Sequence, residues 1–174
     1  MRPILTAAAG IALAASGTAA AVAQTGMADL SNADGEVVAN VSLSEQDGKL
    51  RVSVTARDLP PGFHGFHIHA VGECEPPDFT SAEGHLNPDG VDHADHAGDL
   101  PNLLVMEDGT AAMSVLTDRV TMDDLLADDG AAFIIHADPD NHAHIPERYA
   151  AEPDEETLAT GDAGDRLACG VVTD

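Results

Sequence analysis

Closely spaced histidines are the residues of this sequence that most clearly point to chemistry. His67 and His69 are two residues apart in a segment rich in apolar side chains. In an extended strand, residues two apart point to the same face, so both imidazoles would face one way and Ile68 would face the core. Two imidazoles on a rigid strand can begin a metal site, although exposed pairs of this kind also occur by chance.

A polar stretch that follows contains more potential metal donors. They are His85, His93, His96 and Asp99. Zinc accepts both imidazole and carboxylate at tetrahedral sites, whereas four imidazole nitrogens suit tetragonal Cu(II). A solvated polar loop is the alternative interpretation. His136 ends the apolar run 133–135, where a buried histidine bonded to the backbone is the alternative to a metal ligand.

Short strands separated by turns are predicted to position these groups. Asp47-Gly48 predicts a hairpin between residues 37–43 and 50–55, and Asp108-Gly109 predicts a second between residues 103–106 and 111–116. Further strands are predicted at 63–70, 131–136 and 167–172, with one helical turn at 122–126. Many short strands with turn signals between them are typical of an all-β sandwich or barrel.

Two long polar segments, residues 73–102 and 138–165, do not have a strand pattern. Loops of this length in a compact domain usually carry function. The chain shows no repeat and no domain boundary, so one domain is expected over residues 24–174.

The charge balance is strongly acidic. The sequence has 31 acidic and 7 basic residues, a formal net charge of −24, and 3% aromatic residues. Such a surface disfavours nucleic acid and anionic membranes as partners. Adaptation to high salt and simple solubility through charge are both compatible with it. The core must be built from Val, Leu, Ile and Ala.

Residues 1–23 have the pattern of a signal peptide. A single base, Arg2, precedes an alanine-rich apolar run that ends in Ala21-Val22-Ala23, the small-x-small pattern of a cleavage site. A membrane anchor or a core helix is the alternative. No second apolar run is long enough to span a bilayer. The prediction is export to the periplasm or the extracellular space, with a mature chain that starts near Gln24.

The chain has two cysteines, Cys74 and Cys169. An even number in an exported protein predicts one disulfide. Two free thiols or soft metal ligands are the alternatives.

Four ordered motifs resemble those of the copper–zinc superoxide dismutase family. Residues 62–69 (GFHGFHIH) resemble its copper-binding strand, and residues 84–88 (GHLNP) its bridging-histidine motif. Residues 96–102 (HAGDLPN) resemble the end of its zinc loop, and residues 161–171 (GDAGDRLACGV) its C-terminal signature. The similarity runs from about residue 37 to residue 172.

The resemblance implies a Greek-key β-barrel or sandwich of about eight antiparallel strands with two long functional loops. It implies that two superoxide anions are converted to dioxygen and hydrogen peroxide by copper redox cycling, with a structural zinc. The implied copper ligands are His67, His69, His85 and His136, and the implied zinc ligands are His85, His93, His96 and Asp99. Cys74 and Cys169 would form a disulfide.

Three residues receive further roles from the resemblance. Arg166 would stand beside the copper and attract the anionic substrate, and His85 would deliver a proton to the peroxide as it forms. Asp140 would orient a copper-bound and a zinc-bound histidine, as such carboxylates do.

The sequence departs from the family pattern at several places. Glu83 replaces a small residue and Leu86 replaces an aromatic one. Residues 142–160 are longer than usual and acidic, and we interpret His142 and His144 there as surface residues or weak metal acceptors.

Two other functions are alternatives: a periplasmic copper or zinc carrier on the same fold, and a structural or adhesion β-sandwich with incidental histidines. The full donor set together with Arg166 favours the enzyme. The oligomeric state is open, with a homodimer as one option.

Overall fold

The computed structural model describes residues 25–127, 129–149 and 152–174. Within these residues the chain forms nine strands and two short α-helices. The strands are β1 (Thr25–Asn32), β2 (Val37–Gln46), β3 (Lys49–Ala56), β4 (Gly62–His64), β5 (Phe66–His69), β6 (Leu103–Val105), β7 (Ala111–Thr117), β8 (Ala132–His136) and β9 (Arg166–Val171). The helices are α1 (Met122–Leu125) and α2 (Glu155–Thr160), and a 3-10 turn spans Thr80–Ala82.

Seven strands form one antiparallel sheet in the order β5-β8-β9-β1-β2-β3-β7, while β4 pairs with β6. Only Gly65 separates β4 from β5 at one edge of the large sheet, and β6 leads through a tight turn into β7 at the other edge. The small sheet therefore links both edges, and the curled large sheet closes into a barrel. The predicted all-β barrel with two long loops is confirmed.

Alternating burial along the strands builds one core. In β3, Leu50, Val52 and Val54 are buried, while the residues between them are more exposed. Phe66 and Phe133 stack with their ring centroids 5.4 Å apart. Because the chain has few aromatic residues, aliphatic side chains fill most of the remaining core, as predicted.

The first predicted hairpin is confirmed and the second is wrong. Asp47 and Gly48 both have positive φ, 52° and 74°, and the strands on either side pair with each other. At the second site Gly109 closes a turn by donating to the carbonyl of Met106 (2.9 Å). The strands on either side of that turn pair elsewhere, β6 with β4 and β7 with β3, because the barrel closes at this point.

Other elements differ from the expectation. The strand predicted at 63–70 is divided at Gly65, because its first part pairs with β6 and its second part with β8. β1 and α2 were not predicted. α1 matches the single helical turn expected at 122–126.

Cys74 and Cys169 form a disulfide with their Cα atoms 5.6 Å apart, which confirms the predicted pairing. The bond ties the first long loop to β9. The leader predicted at residues 1–23 lies outside the described residues. Among those that are described, no helix is long and apolar enough to cross a membrane.

Candidate metal centre

Strand β5 holds two histidines on one face of the barrel wall. His67 and His69 are buried, and Ile68 between them packs into the hydrophobic core on the other face. The neighbouring strand β8 ends at His136, which is also buried. The period of two along a strand therefore explains why the two histidines of β5 share a face.

Backbone hydrogen bonds fix the first long loop to the free edge of β5. Ile68 donates to the carbonyl of Gly98 (2.9 Å) and accepts from the N–H of Leu86 (2.8 Å). A Cβ atom at Gly98 would lie 2.2 Å from the Ile68 carbonyl oxygen, so only glycine permits this approach. His85 and Asp99, which flank these contacts, are thereby carried to the histidines of β5.

Four imidazoles form a first donor group. They are His67, His69, His85 and His136, and one ring nitrogen from each lies within 4.8 Å of the others. The Nε2 atoms of His69 and His136 are 3.3 Å apart, while their Nδ1 atoms donate to the carbonyls of Glu83 (2.8 Å) and Gly164 (3.2 Å). Nδ1 of His67 and Nε2 of His85 are buried without a hydrogen-bond partner among the described residues.

A second donor group adjoins the first. It consists of His85, His93, His96 and Asp99, again with ligand atoms within 4.8 Å of one another. Nδ1 of His85 is 2.8 Å from Oδ1 of Asp99 and 3.3 Å from Nδ1 of His96. Nδ1 of His93 is 3.0 Å from Oδ2 of Asp99 but is not aligned for a hydrogen bond. His85 belongs to both groups, with Nε2 in the first and Nδ1 in the second.

Asp140 links the two groups from behind. Its carboxylate accepts from Nε2 of His67 (2.9 Å) and from Nε2 of His93 (2.8 Å), which turns both Nδ1 atoms toward the donor groups. Asn102 holds the backbone of Asp140 through two hydrogen bonds of 2.8 Å. The backbone N–H of His142 also donates to the carboxylate (2.6 Å).

Burial favours the neutral form of three imidazoles of the first group, those of His67, His69 and His136. It lowers the pKa of His67 to about 4, although Asp140 opposes the shift. Burial and the neighbouring His67 lower the pKa of His136 to about 3. Burial and the proximity of His85 hold the pKa of His69 well below its ordinary value. Neutral imidazole is the form that binds a metal ion.

In the second group, neighbouring carboxylates outweigh the effect of burial on the pKa of a histidine. Burial alone would lower the pKa of His93, but Asp140 and Asp99 outweigh it and raise that pKa to about 9. Burial would raise the pKa of Asp99, yet His85 and His93 hold it well below its usual range. The pKa of Asp140 is likewise depressed despite burial, because His67 and His93 donate to it.

Arg166 begins β9 beside the first group. Its guanidinium donates to the carbonyls of Phe79 and Glu83, both at 2.6 Å. The Glu83 carbonyl also accepts from His69, so one oxygen joins Arg166 to a histidine of the first group. Arg166 lines an open pocket of about 500 Å³ together with Asp78 and Asp165. Burial lowers the pKa of Arg166, and Asp78 opposes that shift.

The structure brings together all seven residues that the sequence analysis named as metal ligands, and it places Asp140 against two of them. Their roles as ligands stay predictions. His142 is a surface residue whose side chain is 46% exposed, although its ring stacks on that of His93. His144 is exposed.

Sequence reasoning missed three residues that support the site. Asn102 holds Asp140, and Arg119 contacts the loop between His93 and His96. Nδ1 of His64 donates to the carbonyl of His136 (2.7 Å). The motif around His67 contains His64, but nothing in the sequence showed that its ring supports the backbone of another histidine.

The donor sets fit copper and zinc. Four imidazoles suit Cu(II), and three imidazoles with one carboxylate suit tetrahedral zinc. Buried polar atoms are almost always bonded, so the unpartnered nitrogens of His67 and His85 are best explained as metal donors. Asp140 and its two histidines lie within ligand distance of each other, but they are already joined by hydrogen bonds and act as support for both groups.

Comparisons with known proteins agree with this chemistry. Residues 36–172 match the family model "Copper/zinc superoxide dismutase (SODC)". The Cu-Zn superoxide dismutase of Mycobacterium tuberculosis is 43% identical over 169 residues, which cover 86% of this chain and 70% of that protein. The enzyme of Escherichia coli K12 is 36% identical, with coverage of 79% and 80%. The crystal structure of a SOD-like protein from Bacillus subtilis has a TM-score of 0.70 and 33% identity, with coverage of 83% and 96%.

Proposed function

Because the chain belongs to the copper/zinc superoxide dismutase family, we propose that its two donor groups hold the two metals of that family. The enzymes of this family convert two superoxide anions to dioxygen and hydrogen peroxide. The proposed copper ligands are His67, His69, His85 and His136. The proposed zinc ligands are His85, His93, His96 and Asp99, so that His85 bridges the two sites.

One observation carries this assignment. Nδ1 of His67, Nε2 of His85 and Nδ1 of His93 are buried without hydrogen-bond partners among the described residues. In each of these histidines the other ring nitrogen is directed at a carboxylate, at distances of 2.8 to 2.9 Å. Since Asp140 fixes the rings of His67 and His93 through their Nε2 atoms, their Nδ1 atoms are the ones that remain to bind a metal ion. Nδ1 of His85 instead faces Asp99, a fellow donor of the second group, so His85 offers a nitrogen to each group.

Bound copper supplies the one-electron redox chemistry, and bound zinc, which has no redox chemistry, supplies a fixed charge. The side chains have the remaining tasks. Arg166, whose charge acts on His69 and His136, attracts the anionic substrate toward the copper site. While it is not bound to copper, Nε2 of His85 can hold a proton and donate it to the peroxide as it forms.

Asp140 is proposed as a positioning residue that acts on both sites. It accepts from one histidine of each site, and it is itself fixed by Asn102. A metal carrier on the same fold is not favoured, because the matched relatives are dismutases and a carrier would not need Arg166 beside the copper site.

The test is the catalysed decay of superoxide by the mature protein, measured per bound copper, with the metal-free protein as control. We expect fast decay only in the copper-loaded form. Arg166→Ala should retain copper but lower the second-order rate constant by about tenfold or more, and Arg166→Lys should recover part of the loss because it restores the charge. His136→Ala should weaken copper binding. Tightly bound copper without decay would instead support the carrier.

We also infer that residues 1–23 are a signal peptide and that residues 24–174 form one exported domain, periplasmic or extracellular. The alanine-rich run and the cleavage pattern before Gln24 support this inference. Terminal sequencing of the exported protein tests it. A homodimer stays a prediction, to be tested by analytical ultracentrifugation.

A further inference from the structure

Arg119 reaches from the barrel to the backbone of the proposed zinc site. It follows β7, and its Nη1 atom donates to the carbonyls of Ala94 (2.8 Å) and His96 (3.3 Å). Its Nη2 atom lies 3.4 Å from Oδ1 of Asp95. The contacted residues run from the one after His93 to His96 itself, so the guanidinium binds the turn that joins two proposed ligands.

Other parts of this turn are held by the loops themselves. The backbone N–H of His93 donates to the carbonyl of Leu158 in α2 (2.9 Å), and that of His96 donates to the Asp99 carboxylate (3.0 Å). Both partners belong to long loops. Arg119 adds a link from the rigid barrel to the turn.

Apolar packing does not fill this side of the site. A pocket of about 200 Å³ lies between residues 99–101 and residues 115–119, which are the end of β7 and the two residues after it. The ion pair between Arg119 and Asp95 is exposed, with side chains 43% and 81% accessible, and such pairs contribute little. The two bonds to backbone carbonyls are therefore the part of the contact that can set the position of the turn.

We propose that Arg119 is a positioning residue for the zinc half of the centre, holding the turn so that the imidazoles of His93 and His96 face the same point. This inference rests on the proposed function, because it takes these two histidines as zinc ligands. Arg119 acts through the backbone and touches neither metal nor substrate.

The direction in which zinc affinity changes when Arg119 is removed distinguishes a positioning role from a purely electrostatic one. A guanidinium near a divalent cation repels it, so charge alone predicts tighter zinc binding when Arg119 is removed. Positioning predicts the opposite, because the turn then samples arrangements in which the two imidazoles diverge. Outer residues that orient metal ligands typically change metal affinity by about 10- to 100-fold.

The experiment compares wild type with Arg119→Ala, Arg119→Lys and the control Arg51→Ala. Arg51 is a barrel arginine that bonds to Gln46 and Ser114. For each purified full-length mature chain, the zinc dissociation constant is measured by competition with a chromophoric chelator. The copper dissociation constant, the visible spectrum of the Co(II)-substituted zinc site and the urea midpoint of the metal-free protein are measured in parallel.

We expect Arg119→Ala to weaken zinc binding by about 10- to 100-fold and to reduce the tetrahedral Co(II) bands, with copper affinity and the urea midpoint close to wild type. The zinc affinity of Arg119→Lys should lie between those of the wild type and Arg119→Ala, since an ammonium keeps the charge but cannot span two carbonyls. Arg51→Ala should match wild type.

Three results would overturn the inference: unchanged zinc affinity in Arg119→Ala, tighter zinc binding, or equal weakening of zinc and copper together with a lower urea midpoint. If the wild type binds both metals in these cases, the proposed function is not contradicted. A wild type that binds no zinc would overturn both. If Arg119→Ala does not fold, Arg119→Lys decides the question by the same measurements.

Discussion

His93 lies between two carboxylates, and this gives the two halves of the centre different proton contents. Asp140 and Asp99 raise its pKa to about 9, whereas burial lowers the pKa of His67 to about 4 and that of His136 to about 3. At neutral pH the metal-free chain therefore carries a cationic imidazole in the second group, while these two histidines of the first group are neutral.

Zinc binding at pH 7.5 should release about one proton. The proton leaves His93, because Nδ1 must be unprotonated to bind a metal, whereas Asp99 is already ionised. Isothermal titration in buffers of different ionisation enthalpy measures the release. It should decrease as the pH rises through 9, since His93 then loses its proton before zinc arrives. A release that is absent at pH 7.5 would contradict the protonated state of His93.

Residue type and spacing singled out the candidate metal donors, because imidazoles two or three positions apart restrict which faces they can share, and the family resemblance assigned them to copper and zinc. The same reasoning could not find Asn102 or Arg119. Asn102 acts on the backbone of Asp140, 38 positions away, and Arg119 acts on carbonyls that every residue type possesses. Such partners depend on tertiary proximity, which local spacing does not encode.

Among the structural elements, the turn at residues 80–83 combines backbone strain with a functional contact. Glu83 ends the 3-10 turn with φ 58° and ψ −149°, a conformation that strongly favours glycine. Its carbonyl accepts from both His69 and Arg166. The element that aligns these two side chains is therefore held in an unfavourable backbone conformation.

Replacing Glu83 with glycine should stabilise the metal-free protein by about 1 kcal/mol, as relief of the strain exceeds the extra flexibility of glycine in the unfolded chain. Urea unfolding with the disulfide intact measures the change. Glu73→Gly is the matched control, because Glu73 is not among the described residues with positive φ, and it should be slightly destabilising. A loss of stability in Glu83→Gly would show that the conformation is not strained.

Elements that depend on contacts between residues close in sequence could be predicted, whereas elements that depend on distant residues could not. The Asp47-Gly48 hairpin depends on two residues and was predicted, whereas the pairing of β4 with β6 joins segments about 40 positions apart and was not. β1 was not predicted because two of its three buried positions before Ser31 are Gly26 and Ala28, which give little hydrophobic signal. α2, six residues long, is too short and polar to show a helical period.

At the scale of the whole molecule, the negative net charge of the protein repels the anionic substrate. The formal net charge is −24, and loss of Arg2 with the leader would make it −25. The bases that remain are Lys49, Arg51, Arg57, Arg119, Arg148 and Arg166. The charge of Arg166 reaches the first donor group, where it helps to lower the pKa of His69 and His136. Arg166 thus attracts an anion locally, although the acidic surface of the protein repels anions.

Added salt should therefore leave the second-order rate constant for superoxide nearly constant or raise it. Salt screens the repulsion of distant acidic groups over about 10 Å at 0.1 M, while the short-range attraction near Arg166 is screened less. Rates measured between low and physiological ionic strength test this, with Arg166→Ala as the comparison that should show a clear rise. A steep fall with salt in the wild type would mean that the surface steers the substrate inward.

Strand β9 lies between β8 and β1 in the large sheet, although it is the last of the described strands to be synthesised. Until β9 has been synthesised, the growing chain lacks the strand that joins β8 to β1, so the large sheet cannot be completed. The same strand brings Arg166 and Cys169, so the substrate-attracting arginine and the disulfide are also added late. Completion of the large sheet, the position of Arg166 and the disulfide therefore all depend on the same strand near the end of the described chain.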